Sequence, residues 1–376
     1  MFGRNHGFGP DWSQVHWKRG VGPWTCLLAV FSVLYGLGLK LRFLAYRHGF
    51  FKRKSLPGFV VSVGNLTAGG TGKTPATVML AKWALNQGYR VAVLSRGYGG
   101  RYKSKVFEVS DGENIIGDPT ETGDEPYLLA KNLPGVPVVL SKKRYLGGLF
   151  AHKKFGTDFF VLDDGFQHLE LERDLDLVLM DAADPFGNGH SLPWGPLREP
   201  LDNLARADAV ILTRFDNGSP GEAGLNFLRS RFSGMPLFRA DHLPKKVVLP
   251  CLNEIHGPEF LKGKRVLAFG GIARPDAFRR TLTKLGAHVV CFKGFGDHYR
   301  YTRDEIQVLI RKKEECGADY ILTTEKDWMR VFSFMSNYPE IGYLCIEFDL
   351  LSRQDEFFGI IKNASIGKAT RLTGHI

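Results

Sequence analysis

Apolar runs recur along the chain from residue 55 onward, at 59–63, 90–94 (RVAVL), 136–140 (VPVVL), 158–162 (DFFVL), 176–180 (DLVLM) and 208–212 (DAVIL). None shows the strict apolar–polar alternation of a half-exposed sheet, so each predicts a strand covered on both faces. The stretches between them are amphipathic, and the alternation predicts an α/β fold with a mainly parallel sheet. The best defined helix, about 74–86, carries Val78, Leu80, Ala81, Ala84 and Leu85 at helical spacing. The pattern loosens over 217–250 into Gly, Pro and basic residues. It restarts at "KGKRVLAFGGIARPDAF" (262–278) as strand, glycine turn and helix, with further strands expected at 287–292, 319–323 and 343–347. The expected organisation is an α/β unit over 55–250 hinged to a second, smaller α/β unit over 251–376.

Ahead of these units, residues 24–39 (WTCLLAVFSVLYGLGL) hold no charge. A bilayer-spanning helix needs ~20 apolar residues, so this run falls short. Lys40 and Arg42 interrupt it, and "RHGFFKRK" (47–54) adds a basic cluster. With Trp17, Trp24, Phe43, Phe50 and Phe51 as interfacial aromatics, residues 1–54 predict a helix dipping into the cytoplasmic leaflet, its basic residues on anionic head groups. A shallow tilted span ranks second and a buried core helix third. No small-residue cleavage site follows, which disfavours a signal peptide.

Lys and Arg exceed Asp and Glu by 50 to 39 in 376 residues, a formal charge of +11 that favours anionic partners. Nucleic acid is not expected among them, since no RNP motif, zinc-finger spacing or recognition helix is present. Cys26, Cys251, Cys291, Cys316 and Cys345 form no C-x-x-C pair and predict reduced, mostly buried thiols in a cytosolic compartment.

The chemistry concentrates after the first strand, in "VGNLTAGGTGKTP" (63–75). Gly69, Gly70 and Gly72 let successive backbone N–H groups turn onto an anion. Lys73 supplies a point charge for the terminal phosphates, Thr74 a hydroxyl for Mg²⁺, and Pro75 suits the first turn of the next helix. The P-loop pattern G-x-x-x-x-G-K-[ST] wants glycine where Thr67 stands. A P-loop also needs a carboxylate at the end of another core strand. "DFFVLDDGFQH" offers Asp163 and Asp164, with Asp181 of "VLMDAADPFG" a weaker rival. In "TGDEPYLLA", Asp124 and Glu125 stand at a helix start, where they could cap the helix or accept a proton from an attacking hydroxyl. "KGFGDHYRYT" presents Asp297 and His298 in a glycine-flanked loop, a candidate site for a base. Arg96, Arg144 and Arg198 follow strands in loops and could grip phosphates.

Taken together and in order, "SVGNLTAGGTGKTP", "LSRGYGG", "GDEPYLLA", "LDDGFQH", "DPFGNGHSLPWGPLREP" and "TTEKDWMR" resemble the tetraacyldisaccharide 4′-kinase family, the lipid A 4′-kinases of Gram-negative bacteria. The likeness runs from the N-terminal helix to about residue 350. It implies a P-loop kinase of two hinged α/β domains preceded by a membrane-associated helix. Such an enzyme transfers the ATP γ-phosphate to the 4′-hydroxyl of tetraacyldisaccharide 1-phosphate, giving lipid IVA. ATP and Mg²⁺ are the implied cofactors, a glycolipid and an anionic membrane surface the implied partners. The cytoplasmic face of the inner membrane is the implied location, and a monomer is expected. The resemblance places the P-loop on Thr67, Ala68, Gly69, Gly70, Thr71, Gly72, Lys73 and Thr74, and tolerates the threonine at 67. It places the metal at Thr74, Asp163, Asp164 and Glu125, and a catalytic pair at Asp124 and His298. Substrate contacts fall to Arg96, Tyr98, Arg144, Gln167, His168, Arg198 and Glu199. The alternative is a deviant P-loop switch or chaperone ATPase at the membrane, but Ala68 stands where that class carries a signature lysine. A GTPase is disfavoured because "TEKD" (324–327) lacks the N-K-x-D spacing.

Overall fold

The structure, a computed structural model, describes residues 25–215, 221–335 and 337–373. Trp17, Trp24 and residues 217–220 of the loosened segment lie outside the described residues.

The strands are β1 (Phe59–Asn65), β2 (Val91–Ser95), β3 (Phe107–Ser110), β4 (Val138–Leu140), β5 (Phe159–Asp163), β6 (Leu175–Asp181), β7 (Ala209–Thr213), β8 (Leu237–Leu249), β9 (Glu254–His256), β10 (Arg265–Gly270), β11 (His288–Gly294), β12 (Tyr320–Thr324) and β13 (Ile341–Leu350). They run β11-β10-β12-β13-β8-β7-β6-β1-β5-β2-β4-β3 across one sheet, with β9 on β8. β1, β2, β5, β6 and β7 are buried at every position, as their apolar composition requires of strands covered on both faces. β1 lies between β5 and β6 and parallel to both, and Val63 sits beside Asp163 in register. The phosphate loop after β1 and the carboxylates after β5 therefore emerge side by side at the carboxyl edge of the sheet.

From residue 221 on, the segment expected to be loose takes up regular structure: it forms the helix Gly221–Arg231 and the 13-residue strand β8. β8 is the seam of the molecule. It pairs in parallel with β7 through Leu237–Arg239, then antiparallel with β13 through Ala240–Val248. Its pattern was hidden because Pro244, Lys245 and Lys246 fall where the strand is partly exposed, and the register shifts there. Residues after Arg353 form the helix Gln354–Thr373, which crosses back to the first half. There Phe357 and Ile361 are buried in the core over β1 and β5, and Phe358 stacks on Trp83 at 4.9 Å. Lys368 pairs with Asp174 at 3.1 Å.

The N-terminal helix, Thr25–Arg47, is longer than the uncharged run because Lys40 and Arg42 continue it. Its 23 residues span about 34 Å and are long and apolar enough to cross a membrane, so the shortfall read from the sequence does not hold. Only Leu28 and Ser32 on it are buried; Leu27, Val30, Phe31, Val33, Leu34, Leu37 and Leu41 face outward. A core helix would not leave that face bare. Of the cysteines, Cys345 alone is buried and Cys26 and Cys251 are exposed, contrary to the expectation of mostly buried thiols.

Candidate active site

The loop after β1 folds because its glycines supply what L-residues resist. Gly69 and Gly72 have φ of +118° and +87°, and Gly72 is the N-cap of the helix Lys73–Asn86. Thr67 is extended and bridged antiparallel to Leu197, while the Ala68 amide donates to the Pro196 carbonyl at 2.6 Å. A glycine is not needed at 67, because the chain there borrows strand geometry from the "GPLREP" segment. The far side of the loop is tied to the end of β7. Thr213 Oγ1 donates to the Thr71 carbonyl at 3.0 Å, and Arg214 Nη2 to the Gly70 carbonyl at 2.7 Å. The loop fronts a cleft of about 1480 Å³ between the two halves.

Asp163 and Asp164 lie at its floor and differ sharply. Asp163 is buried, bonded by Ser95 Oγ at 3.1 Å, and pushed up to about 6 by burial and then by the neighbouring Glu125 and Asp164 carboxylates. Burial would also lift Asp164, but Lys73 and Arg198 outweigh it and hold that carboxyl below its usual range. Arg198 Nη1 bonds both Asp164 oxygens at 2.9 and 2.8 Å, and Lys73 Nζ stands 3.7 Å away. Three carboxylates crowded beside a P-loop lysine suit a site that takes a cation and polyphosphate together. Thr71 Oγ1 and Arg144 Nε are buried and lack a hydrogen-bond partner among the described residues. No cluster of three or more His, Cys, Asp or Glu among the described residues forms a ready metal cage. Mg²⁺ does not require one, since it is held through one or two carboxylates, substrate phosphates and water. The rival Asp181 is occupied by Arg214 and, at 3.0 Å, Arg274.

Opposite the phosphate loop, the helix Asp124–Asn132 runs beside the helix Glu325–Met335. His298 Nδ1 is 3.8 Å from Asp124 Oδ2, an ion-pair separation rather than a hydrogen bond. Arg330 Nε donates to that same oxygen. Burial alone would raise Asp124, but His298 and Arg330 hold it low. Glu125 is likewise held low against burial, chiefly by Lys326, whose Nζ lies 2.8 Å from Oε1. Arg330 and Lys326 were passed over in the sequence. Their signal was a pair of cations four residues apart, on one helical face of "TTEKDWMR".

The cleft collects Gly69 to Thr74, Arg96, Tyr98, Glu125, Arg144, Asp163, Asp164, Arg198 and His298 from the expected site. Tyr98 is largely exposed and meets the His298 ring edge-on at 6.0 Å. Thr67, Ala68, Asp124, Gln167, His168 and Glu199 do not line it. Asp124 stands behind His298. Gln167 Nε2 donates to the Asn65 carbonyl at 3.0 Å, under the phosphate loop. His168 is driven down to about 4 by burial and Arg144, and its buried Nε2 has no partner among the described residues. Glu199 is buried against Arg206 (2.6 Å) and Asn203 (2.7 Å). The N-terminal helix reaches this layer: Ser32 Oγ donates to the Ser191 carbonyl at 2.8 Å and the Tyr35 hydroxyl to the Arg198 carbonyl at 2.9 Å.

A family model described as tetraacyldisaccharide-1-P 4′-kinase matches residues 24–365. A tetraacyldisaccharide 4′-kinase of Syntrophus aciditrophicus is 43% identical over 328 residues, covering 85% of this chain and 88% of that protein. One from Geobacter metallireducens is 42% identical, covering 86% and 94%. Among solved structures, LpxK from Aquifex aeolicus in complex with ATP superposes with a TM-score of 0.72 at 36% identity, covering 91% of this chain and 99% of that one.

Proposed function

The chain belongs to the tetraacyldisaccharide-1-P 4′-kinase family, and we infer that its cleft transfers the γ-phosphoryl group of ATP to the 4′-hydroxyl of tetraacyldisaccharide 1-phosphate. It is an ATP- and Mg²⁺-dependent kinase of lipid A biosynthesis, and the product is lipid IVA. The observation that carries the residue roles is the convergence of Lys73, Asp163 and Asp164 at the floor of one cleft. Thr74 and Asp163, with Asp164 and Glu125 beside them, are the groups that would hold Mg²⁺. That ion supplies positive charge to the transferring phosphoryl group. Residues 67–74 bind the phosphates through backbone N–H groups and Lys73. The Asp124–His298 pair, with His298 toward the cleft, takes the proton of the attacking hydroxyl as its oxygen bonds to phosphorus and ADP departs. Arg96, Tyr98, Arg144 and Arg198 meet the substrates at the cleft wall. Gln167, His168 and Glu199 act from beneath, as supports for the loop and for Arg198. The switch alternative is not favoured.

The helix within residues 1–54 is read as the membrane-associated element, at the cytoplasmic face of the inner membrane, with the basic cluster on anionic head groups. The chain is read as a kinase unit over 55–250 hinged to a second unit over 251–376; the end of β8 near residue 250 and the return of the last helix to the first unit support that reading. The enzyme is read as a monomer. The test is transfer of label from γ-labelled Mg·ATP to lipid disaccharide 1-phosphate in detergent, followed by lipid extraction. Lys73→Ala should lose at least ~10²-fold in kcat, on the order of 3 kcal/mol. ATP turnover without labelled lipid would refute the reading.

A further inference from the structure

The helix Glu325–Met335 belongs to the second half of the chain, yet its first turns are bound to the first half. Thr324 caps it, accepting from the Asp327 amide at 3.1 Å. From that capped start, Lys326 and Arg330 project toward Glu125 and Asp124. Arg330 is only 6% exposed, and every nitrogen of its guanidinium is engaged. Nε donates to Asp124 Oδ2. Nη1 donates to the Gly271 carbonyl and to Asp327 Oδ1, each at 3.0 Å, and Nη2 faces His298 Nδ1 at 3.4 Å. One planar group thus touches both members of the proton-accepting pair and two fixed points of the second half.

We propose that Arg330 is the positioning residue of that pair: its fork sets Asp124 and His298 relative to one another across the boundary between the halves. This rests on the reading of Asp124 and His298 as the proton acceptor. Asp124 rides on a helix of the first half, and His298 on a loop of the second, at a left-handed φ of +57°. Their own separation is 3.8 Å, longer than a hydrogen bond. A neutral imidazole accepts at one nitrogen only. Arg330 at Nδ1 and Lys326, 3.4 Å from Nε2, therefore compete to set which nitrogen that is. A lysine at 330 would keep the charge but not the fork, because one ammonium cannot hold three divergent acceptors in a plane.

The test uses full-length enzyme in detergent with Mg·ATP and the lipid acceptor. Arg330→Lys and Arg330→Ala should each lower kcat by about 10–100-fold while KM for ATP stays within about twofold, the signature of misplacement at the reacting end. Methylguanidinium at tens of millimolar should restore Arg330→Ala at least about fivefold. In an Asp124→Asn background, Arg330→Ala should cost less than about threefold more, because both changes disable one unit. If Arg330→Ala fails to fold, Arg330→Lys and its combination with Asp124→Asn carry the test. Wild-type kcat in Arg330→Lys, no rescue of a folded Arg330→Ala, or a fully multiplicative double mutant would overturn the proposal while leaving the pair intact. Wild-type kcat in Asp124→Asn would instead overturn the pair, and the role of Arg330 with it.

Discussion

Gly72 is where the phosphate loop has least room to change. Its φ of +87° is left-handed, and a Cβ built on it would lie 2.2 Å from His242 Nε2 and 2.5 Å from Cε1. Alanine there costs about 1–2 kcal/mol for the backbone alone. The collision adds about 1–3 kcal/mol, because the imidazole is held at the seam, edge-on to Phe348 at 5.6 Å. The sum, about 2–5 kcal/mol, is relieved most cheaply if the loop leaves its cradle rather than if the sheet moves. Gly72→Ala should therefore weaken Mg·ATP binding by about 30- to 4000-fold at 1.4 kcal/mol per decade. Titration calorimetry on the detergent-solubilised protein reads this directly, with thermal unfolding as a check that the fold persists. Adding His242→Ala removes the collision but not the φ penalty, so the double variant should bind ATP more tightly than Gly72→Ala alone. A Kd within threefold of wild type, with an unchanged melting temperature, would show that the loop accommodates the methyl group and refute the reasoning. So would a double variant no better than the single.

The remaining predictions concern the frame around the site. Phe357→Ala should destabilise the protein by about 3–5 kcal/mol in urea unfolding, because Phe357 is 1% exposed and packs edge-on against Phe238 at 5.1 Å. A loss under 1 kcal/mol would mean that the last helix merely rests on the first half. His242 is held down to about 3 by burial and then by Arg214, so it stays neutral in the fold while the unfolded chain takes up a proton below its ordinary 6.5. Its contribution is complete above pH 6.5 and is lost as pH falls from there toward 3. His242→Leu should therefore flatten the pH dependence of stability between pH 6 and 4 by about one proton, or ~1.4 kcal/mol per pH unit; equal slopes would sink the assignment. Deleting residues 1–47 should release the protein from anionic vesicles. ATP affinity should stay within about tenfold, since the helix gives the "GPLREP" segment one hydrogen bond near the loop, worth about 1 kcal/mol, through Tyr35. Sedimentation with vesicles at high salt, or a larger loss of ATP binding, would contradict this.

Much of the site was legible because its parts are local. A buried strand, three glycines and Lys-Thr are contiguous, and backbone stereochemistry alone dictates what such a stretch does at the end of a strand. The same holds for Asp163 and Asp164 after β5. Apolar runs buried on both faces made the central strands readable to within a residue or two, whereas β8, half exposed and carrying Pro244, was not. Tertiary structure alone decided the rest, because it depends on which distant surfaces meet. Nothing in the order of residues says that Arg214 and Arg274 converge on Asp181, or that Thr67 pairs with Leu197. Glu199 and His168 sit within motifs that look like parts of the site, yet folding turns them under it. Arg330 is 206 residues from Asp124 and becomes its partner only where the two helices pack. Local stereochemistry acts over a few bonds and is written in the sequence. Charge pairing across the cleft acts through space, and only the packed chain sets those distances.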